Sequence, residues 1–218
     1  ASYLPASSCI QGTNMNPPLA PENVQSIPMP TAPHHMNIFP TLHTERLRLR
    51  ELTPHDAPAL FAIYRDAEAM PWFGIDPMTD ISQAHALIAT FAHWRTQANP
   101  GTRWGLEYAG ELMGTCGLFK WNRQWNSCAL ACELAPSARG SGLMSEALRS
   151  VLDWGFAQMQ LHRVEALVHP RNLPSQALLG RLGFTREGVL REAGFWAGGY
   201  QDLHVFSLLA HEHVKVSR

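Results

Sequence analysis

The segment ARGSGLMSEAL, residues 138–148, places two glycines directly before a run with helical spacing. Arg139, Gly140 and Gly142 stand in the bend, and the apolar residues after them recur every three or four positions. The first N–H groups of a helix lack partners within the helix and lie at the positive end of its dipole. The segment therefore predicts an anion-binding site at the start of a helix.

Two common phosphate-binding patterns fit this segment poorly. A Walker loop requires a lysine after its last glycine, but Leu143 follows Gly142. The dinucleotide fingerprint G-x-G-x-x-G is matched at Gly140 and Gly142, with Ser145 in place of the third glycine. Glu165 follows about 20 residues later, where a ribose ligand would be expected. A nicotinamide-dependent oxidoreductase is therefore one alternative, although the hairpin-like strands before the motif disfavour a parallel sheet.

Composition narrows the classes of function. The 218 residues fit one globular domain, and a formal net charge of -1 disfavours nucleic acid as a partner. The four cysteines form no C-x-x-C pair, and most of the histidines fall outside the candidate site, so we expect no metal. The sequence has no membrane-length apolar run and no basic segment followed by an apolar one at its start. We expect no membrane contact and a cytoplasmic location.

The first 40 residues differ in composition from the rest of the chain. Residues 1–40 contain half of the prolines and one charged side chain, Glu22, which predicts a flexible leader. Met15, Met29 and Met36 are alternative native starts, so part of the leader can be an added extension. We predict an ordered domain over 41–213, with 214–218 as a C-terminal tail. His34 and His35 fall in the leader, and His211 and His213 fall at what we predict to be a frayed end.

Periodicity predicts the elements that position the loop. A first strand is followed by two helices, a three-stranded meander, the helix after the glycines, a strand, a helix that ends at Gly183, and a final strand. In order, these lie within 44–52, 55–66, 80–97, 102–110, 111–121, 127–135, 143–156, 163–170, 173–184 and 200–211.

A third pattern, the R-x-x-G-x-[GA] loop of acetyl-coenzyme A enzymes, is matched by Arg139 and Gly142, with Met144 at the last position. Three further segments stand in the order expected beside it. With these, the chain resembles the GNAT superfamily of N-acetyltransferases, within the group that includes the ribosomal-protein-alanine N-acetyltransferases. The resemblance spans about residues 42 to 210 and rests on TERLRLREL, CELAPSARGSGLMSEAL, NLPSQALLGRLGF and EGVLREAGFWAGGYQDLHVFSLL.

The resemblance implies a mixed α/β fold. Its central sheet has about six or seven strands, is mostly antiparallel and twisted, and carries helices on both faces, with a splay between the two central strands. It implies transfer of acetyl from acetyl-CoA to a primary amine, on a protein N-terminus or a small molecule, by direct attack in a ternary complex. For the oligomeric state, the resemblance allows either a monomer or a homodimer. A non-catalytic acyl-CoA-binding module is the second alternative.

The resemblance also assigns cofactor-binding residues. The thioester lies between the strands of ALACELA and RVEALVHP, where unpaired N–H groups near Glu133 to Ala135 face its carbonyl oxygen. Asn172 holds the pantetheine arm, and Ser175 donates a proton to the thiolate. The alternative for these two residues is helix capping by Asn172. The predicted coenzyme contacts are Leu134, Ala135, Arg139, Gly140, Ser141, Gly142, Leu143, Met144, Ser145, Asn172 and Ser175.

The base must take a proton from an ammonium group. Glu133 is the first candidate because alternation places it beside small alanines on one face of its strand. Glu107 and Glu68 are reserves, and Trp72 lies with Glu68 in a predicted acceptor-side loop. Cys132 would be a covalent carrier, but its side chain is expected to face the core. Of the histidines, His169 alone is expected near the site.

Overall fold

The computed structural model describes residues 38–97 and 100–216. Most of the predicted leader lies outside the described residues, including Met15, Met29, His34, His35 and Met36. Residues 217–218 of the predicted tail also lie outside them. At the leader's end, the Trp104 indole N–H donates to the carbonyl oxygen of Pro40 at 2.6 Å, and the ring of Phe39 packs edge-on against Trp104. The packed domain therefore includes Phe39 and Pro40.

Eight strands form one sheet in the order β1-β2-β3-β4-β5-β6-β8-β7. Every neighbouring pair is antiparallel except β5 and β6, which are parallel. The sheet exceeds the predicted six or seven strands. The strands are β1 Leu42–His43, β2 Arg48–Arg50, β3 Thr102–Tyr108, β4 Glu111–Asn122, β5 Ser127–Leu134, β6 Arg163–Val168, β7 Thr185–Trp196 and β8 Gly199–Leu209.

Six α-helices accompany the sheet in the described residues: α1 Ala57–Tyr64, α2 Met70–Phe73, α3 Ile81–Trp94, α4 Leu143–Gln158, α5 Leu173–Arg181 and α6 Ala210–Val216. Local chemistry explains their ends. Asp80 caps α3 by accepting from the Ser82 N–H at 2.8 Å. Helix α5 ends as predicted: Gly183 has a φ of 86°, and the Phe184 N–H donates to the carbonyl oxygen of Leu179 at 3.0 Å.

The core occupies both faces of the sheet. One cluster joins α4 and α5 to apolar side chains of β3, β4, β6 and β8, including Trp104, Leu148, Val164 and Phe206. The second cluster joins α1 and α3 to Leu52 and Leu112 on the other face. Alternate strand residues point to opposite faces, so each strand between the clusters serves both. Helices therefore cover both faces, as expected. No described helix is long and apolar enough to cross a membrane.

Four of the described strands and α-helices were absent from the predictions: the short elements β1 and α2, and the longer elements β7 and α6. Strand β7 carries mostly exposed side chains without clear alternation, so periodicity gave no signal for it. It is the edge strand beside β8, and between the pairs Leu190–Leu203 and Gly194–Gln201 three of its residues face one of β8. Helix α6 replaces the frayed end predicted near His213. That side chain is buried, with its Nε2 2.6 Å from Asp153 Oδ1.

Candidate active site

Strands β5 and β6 diverge in the middle of the sheet. They pair only where Ser127, Cys128 and Ala129 face residues 163–165, at their N-terminal ends. Beyond these pairs, β5 continues to Leu134 and β6 to Val168 without further pairing between them. The predicted splay is therefore present. It leaves one side of each strand's backbone free to contact a ligand.

The register with β4 decides which β5 amides face this gap. The Ala135 N–H donates to the carbonyl oxygen of Met113 at 2.8 Å, so it points toward β4. In an antiparallel pair the backbone groups of alternate residues point to the same side. Glu133 therefore shares this orientation, whereas the amides of Cys132 and Leu134 face the gap. The Ala135 amide is therefore not the unpaired donor that was predicted, and between Glu133 and Ala135 only the Leu134 amide faces the gap.

The glycine-rich loop between β5 and α4 presents open backbone. Gly140 and Gly142 have φ values of 77° and 81°, in the left-handed region where glycine is favoured. Helix α4 then begins at Leu143. Within the described residues, no N–H from Gly140 to Ser145 donates a hydrogen bond, and the first bonded amide is that of Glu146, to the Gly142 carbonyl at 3.1 Å. The loop therefore offers a row of donors at the positive end of a helix.

The side chains around this loop pack into the core or close the turn, and none covers the surface at Gly140. Those of Leu143 and Met144 are buried in the core, so these residues can contact an anion only through their backbone. The Ser141 hydroxyl donates to the Ala138 carbonyl at 2.5 Å, which closes the turn. A Cβ atom added at Gly140 would meet no heavy atom within 4 Å. The surface above the loop is therefore open to a bulky ligand such as a coenzyme pyrophosphate.

Arg46 and Glu146 hold the loop from the side, a pair that sequence reasoning missed. Glu146 accepts from the Arg46 Nε at 2.6 Å and from the Thr44 hydroxyl at 2.5 Å. Burial alone would raise the pKa of Glu146, but the hydrogen bonds from Thr44 and Arg46 hold it below its usual value. The Arg46 Nη1 donates to the Ser141 carbonyl at 3.0 Å, so a guanidinium lies beside the anion loop.

Arg139 links the loop to the connection between α1 and α2. Its Nη2 lies 3.1 Å from Asp66 Oδ2 and 3.4 Å from the Leu134 carbonyl oxygen. Burial raises the pKa of Asp66, but the bonds from Arg139 and from two backbone amides outweigh this effect and lower it. Asp66 lies between α1 and α2, and its role was not predicted. No motif marks it, because its partner is 73 positions away in the chain.

Asn172 and Ser175 stand just past the end of β6. The Asn172 side-chain oxygen accepts from the Ser175 N–H at 3.2 Å, so Asn172 caps α5. Pro174 fits the first turn of this helix because proline needs no N–H partner there. The Ser175 side chain is half-buried. The capping alternative is therefore present. Among the described residues, no hydrogen bond engages the Asn172 amide nitrogen or the Ser175 hydroxyl.

Trp72 on α2 reaches the β6 side of the gap. Its ring centroid lies 5.3 Å from that of His169, edge to face, and the centroid of Trp196 lies 6.2 Å from His169 on another side. His169 is buried, with Nδ1 accepting from the Arg171 N–H at 3.2 Å and Nε2 3.3 Å from Gln201 Oε1. Through its two ring nitrogens, His169 therefore connects the turn at Arg171 to Gln201 on β8.

The segment from Asp66 to Trp72 thus spans the gap. At one end Asp66 contacts Arg139 beside β5, and at the other Trp72 contacts His169 beyond β6. Glu68 lies between them with an exposed side chain. The structure therefore places the segment that carries Glu68 and Trp72 at the same opening as Leu134 and Asn172.

Glu133 is buried beneath this opening. Its Oε2 accepts from the Thr115 hydroxyl at 2.8 Å and forms an ion pair with Arg103 Nη2. The Arg103 side chain is only 3% exposed, and it also donates to the Ala131 carbonyl at 3.0 Å. A buried carboxylate needs such partners because charge is costly to desolvate. Glu133 therefore has a structural role in the core, through Arg103 and Thr115, that was not predicted.

The side chains of Glu107 and Cys132 point to other contacts. Glu107 is on β3, where its carboxylate pairs with Arg50 and lies 3.7 Å from Arg48, so its partners are on β2 and not at the gap between β5 and β6. Cys132 is half-buried and packs against the core, as expected. Burial raises the pKa of its thiol to about 11, so the thiol is protonated at neutral pH. This state disfavours a role as covalent carrier.

The remaining alternatives concern metals and nicotinamide. Among the residues that the structure describes, no group of three His, Cys, Asp or Glu side chains is placed to hold a metal ion. Glu165, the proposed ribose ligand, lies within β6 with its carboxylate 3.8 Å from Arg163. The strand before the loop is antiparallel to β4, so the sheet is not the parallel one that a dinucleotide fold requires. The nicotinamide alternative is therefore wrong.

Comparison with known proteins agrees with this geometry. Residues 46–185 match the acetyltransferase (GNAT) domain family. The chain is 36% identical to the uncharacterized N-acetyltransferase YoaA of Bacillus subtilis (strain 168), over 79% of this chain and 98% of that protein. It is 27% identical to the putative ribosomal N-acetyltransferase YdaF of the same organism, over 77% of this chain and 93% of that protein.

A solved structure has the same fold. The structure of Mycobacterium smegmatis RimJ in complex with CoA-disulfide superposes with a TM-score of 0.72 at 24% identity, covering 82% of this chain and 95% of that one. The splayed sheet, the open amides before α4 and these matches lead to one assignment. The chain belongs to the GNAT family of acetyltransferases and is an acyltransferase.

Proposed function

We propose that this acyltransferase moves acetyl from acetyl-CoA to a primary amine by direct attack in a ternary complex. The observation that carries the proposal is the row of free amides from Gly140 to Ser145, next to the gap between β5 and β6. Phosphate groups bind such helix starts, and an extended pantetheine arm fits a gap lined by unpaired backbone. Acetyl-CoA supplies the activated thioester.

The residues divide the task of binding. Amides of the loop 139–145 and the Arg46 guanidinium bind the pyrophosphate, and Asn172 holds the pantetheine arm. The Leu134 N–H faces the gap and stabilises charge on the acyl oxygen, an effect typically worth about 3 kcal/mol per donor. Glu68 and Trp72 contact the acceptor. Direct attack agrees with the protonated thiol of Cys132.

Two residues handle protons in this proposal. Ser175 donates to the departing thiolate, because its half-buried hydroxyl follows Asn172 at the end of β6. Glu133 accepts the proton of the amine through water. Its side chain lies on the acceptor face of β5, and its pairing with Arg103 uses one carboxylate oxygen. Cytoplasmic location and a monomeric or homodimeric state stay predictions from the sequence.

The first experiment measures thiol release from acetyl-CoA with a library of primary amines. We expect saturable turnover with at least one amine. Ser175→Ala should lower kcat by about 100-fold if the hydroxyl is the proton donor, with little change in the dissociation constant of acetyl-CoA. Ser150→Ala on α4 is the matched control. Tight acetyl-CoA binding without turnover on any amine would instead identify an acyl-CoA-binding module.

A pH profile tests Glu133. If it is the base, Glu133→Gln should remove the acidic limb of the kcat profile while turnover persists at high pH, where the amine is already neutral. If kcat falls equally at every pH and the melting temperature is lower, Glu133 is not the base. Its role is then the structural contact with Arg103.

A further inference from the structure

Arg171 is an exposed cation at the opening where the acceptor enters. It directly precedes Asn172, and its guanidinium carbon lies 5.8 Å from the centroid of the Trp72 ring. In the part of the chain that the structure describes, no carboxylate forms an ion pair with it. A guanidinium stacked on an aromatic ring keeps its N–H edge free for hydrogen bonds. The positive charge is therefore available to a ligand.

The backbone of Arg171 is fixed in place. Its N–H donates to His169 Nδ1 at 3.2 Å, and the Asn172 N–H donates to the His169 carbonyl at 2.9 Å. His169 in turn is packed between Trp72 and Trp196. The guanidinium thus projects from a rigid turn beside the residue that we assign to the pantetheine arm. Such preorganisation favours a specific contact over a loose electrostatic one.

Most carboxylates around the opening already have partners. Asp66 binds Arg139, and Glu133 binds Arg103. Asp76 accepts from the Ala197 N–H at 3.4 Å, which joins it to the β7–β8 turn. Glu68 remains as an exposed carboxylate. A polyamine carries several positive charges and would need several free carboxylates, so this opening suits a different amine.

We propose that Arg171 selects an acceptor that carries a carboxylate next to its amine, that is, a free α-amino acid. The guanidinium donates paired hydrogen bonds to the carboxylate, while the amine points along the opening toward the gap. Trp72 contacts the amino-acid side chain. The inference rests on the proposed acetyl transfer and adds its substrate class. It distinguishes a free amino acid from a protein N-terminus, in which this carboxylate has become an amide.

The test compares thiol release with free L-amino acids, the corresponding amino-acid amides, and spermidine. We expect the best amino acid to exceed its amide at least 10-fold in kcat/KM, mainly through KM, since a hydrogen bond to a charged group is worth about 10-fold or more. Arg171→Gln should abolish the preference for the free amino acid and leave the kcat/KM of the amide unchanged. Comparing the ratio between variants removes the intrinsic reactivity difference of the two amines.

Arg171→Lys keeps the charge but not the planar fork, so it should recover only part of the preference. Arg149→Gln, an exposed arginine on α4, is the control and should change nothing. Spermidine as the best substrate, or an amide preferred in both parent and Arg171→Gln, would overturn the inference while leaving acetyl transfer in place. The absence of thiol release with every amine would overturn the proposed function and this inference together.

Discussion

Asp66 Oδ2 lies 3.1 Å from Arg139 Nη2, and this pair joins the connection between α1 and α2 to the coenzyme loop. The contact lies on the β5 side of the opening to the active site, at one end of the segment from Asp66 to Trp72. Arg139 is half-exposed, so the pair contributes at most about 1 kcal/mol to folding. Its larger effect is on the position of the segment that carries Glu68 and Trp72.

We therefore predict that Asp66→Asn raises the KM of the amine about 3- to 5-fold, a change that corresponds to about 1 kcal/mol. The dissociation constant of acetyl-CoA should stay within about two-fold, and the melting temperature should fall by about 2–4 °C at most. Steady-state kinetics, isothermal titration and thermal unfolding measure these values. Glu51→Gln, which breaks the surface pair with Arg95, is the control and should not alter KM.

A substitution at Gly142 tests whether the glycine-rich loop binds CoA. The Gly142 φ of 81° is strained for any residue with a Cβ atom, so Gly142→Ala should lower the free energy of unfolding by about 1–2 kcal/mol. Because the amides before α4 then shift, CoA affinity should fall at least 10-fold. Calorimetric titration of CoA gives the affinity, and urea unfolding gives the stability.

The matched glycine is Gly180, on α5, where an added Cβ atom would meet nothing within 4 Å. Gly180→Ala should raise stability by about 0.5–1 kcal/mol, since alanine favours the helix, and should leave CoA binding unchanged. Equal CoA affinity in the Gly142 variant and the parent would argue against this loop as the coenzyme site.

The buried Arg103–Glu133 pair predicts non-additive stability effects. Arg103→Met leaves the Glu133 carboxylate buried without its cation and should cost about 3–5 kcal/mol. The double variant with Glu133→Gln should recover a large part of this loss, because no uncompensated charge remains. A double-mutant cycle by urea unfolding measures the coupling. Additive losses would mean that the two charges do not interact in the folded protein.

Glu187 predicts a pH-dependent contribution to folding. Hydrogen bonds from Arg163 and then from Ser207 lower the pKa of this carboxyl to about 2. Because the folded pKa lies below the unfolded value, the charged carboxylate stabilises the fold above about pH 4.5, and this effect is lost as pH falls toward about 2.

The stability difference between the parent and Glu187→Gln should therefore be largest near neutral pH and shrink in acid. Urea unfolding of both proteins from about pH 7 to about pH 3 measures it. Glu165→Gln, whose carboxylate lies farther from Arg163 at 3.8 Å, is the control and should show a smaller difference. A constant difference across this range would contradict the ion pair with Arg163.

Motif and periodicity predicted the parts of the site that follow from local chain chemistry. The glycine bend at Gly140 and Gly142, the start of α4 and the Asn172 cap all depend on neighbouring residues, and the sequence indicated each. Alternation also placed Cys132 toward the core. These features are local because turns and caps are built from residues a few positions apart.

The contacts that were missed join residues far apart in the chain. Arg46 with Glu146, Asp66 with Arg139, and Arg103 with Glu133 each connect different elements of the fold. No spacing rule identifies such partners before the strand order is known. The Ala135 error had a similar origin, because the direction of an amide depends on the register between β4 and β5.

The irregular pairing of β7 has a consequence for the behaviour of the protein at high concentration. Where Arg191, Glu192 and Ala193 face the single residue Asp202, Glu192 has a φ of 51° and its N–H donates to the Asp202 carboxylate at 2.8 Å. A flat outer strand would be a template for aggregation, whereas a bulged and charged one does not align with the same strand of another copy. This bend thus protects the sheet against growth into fibrils.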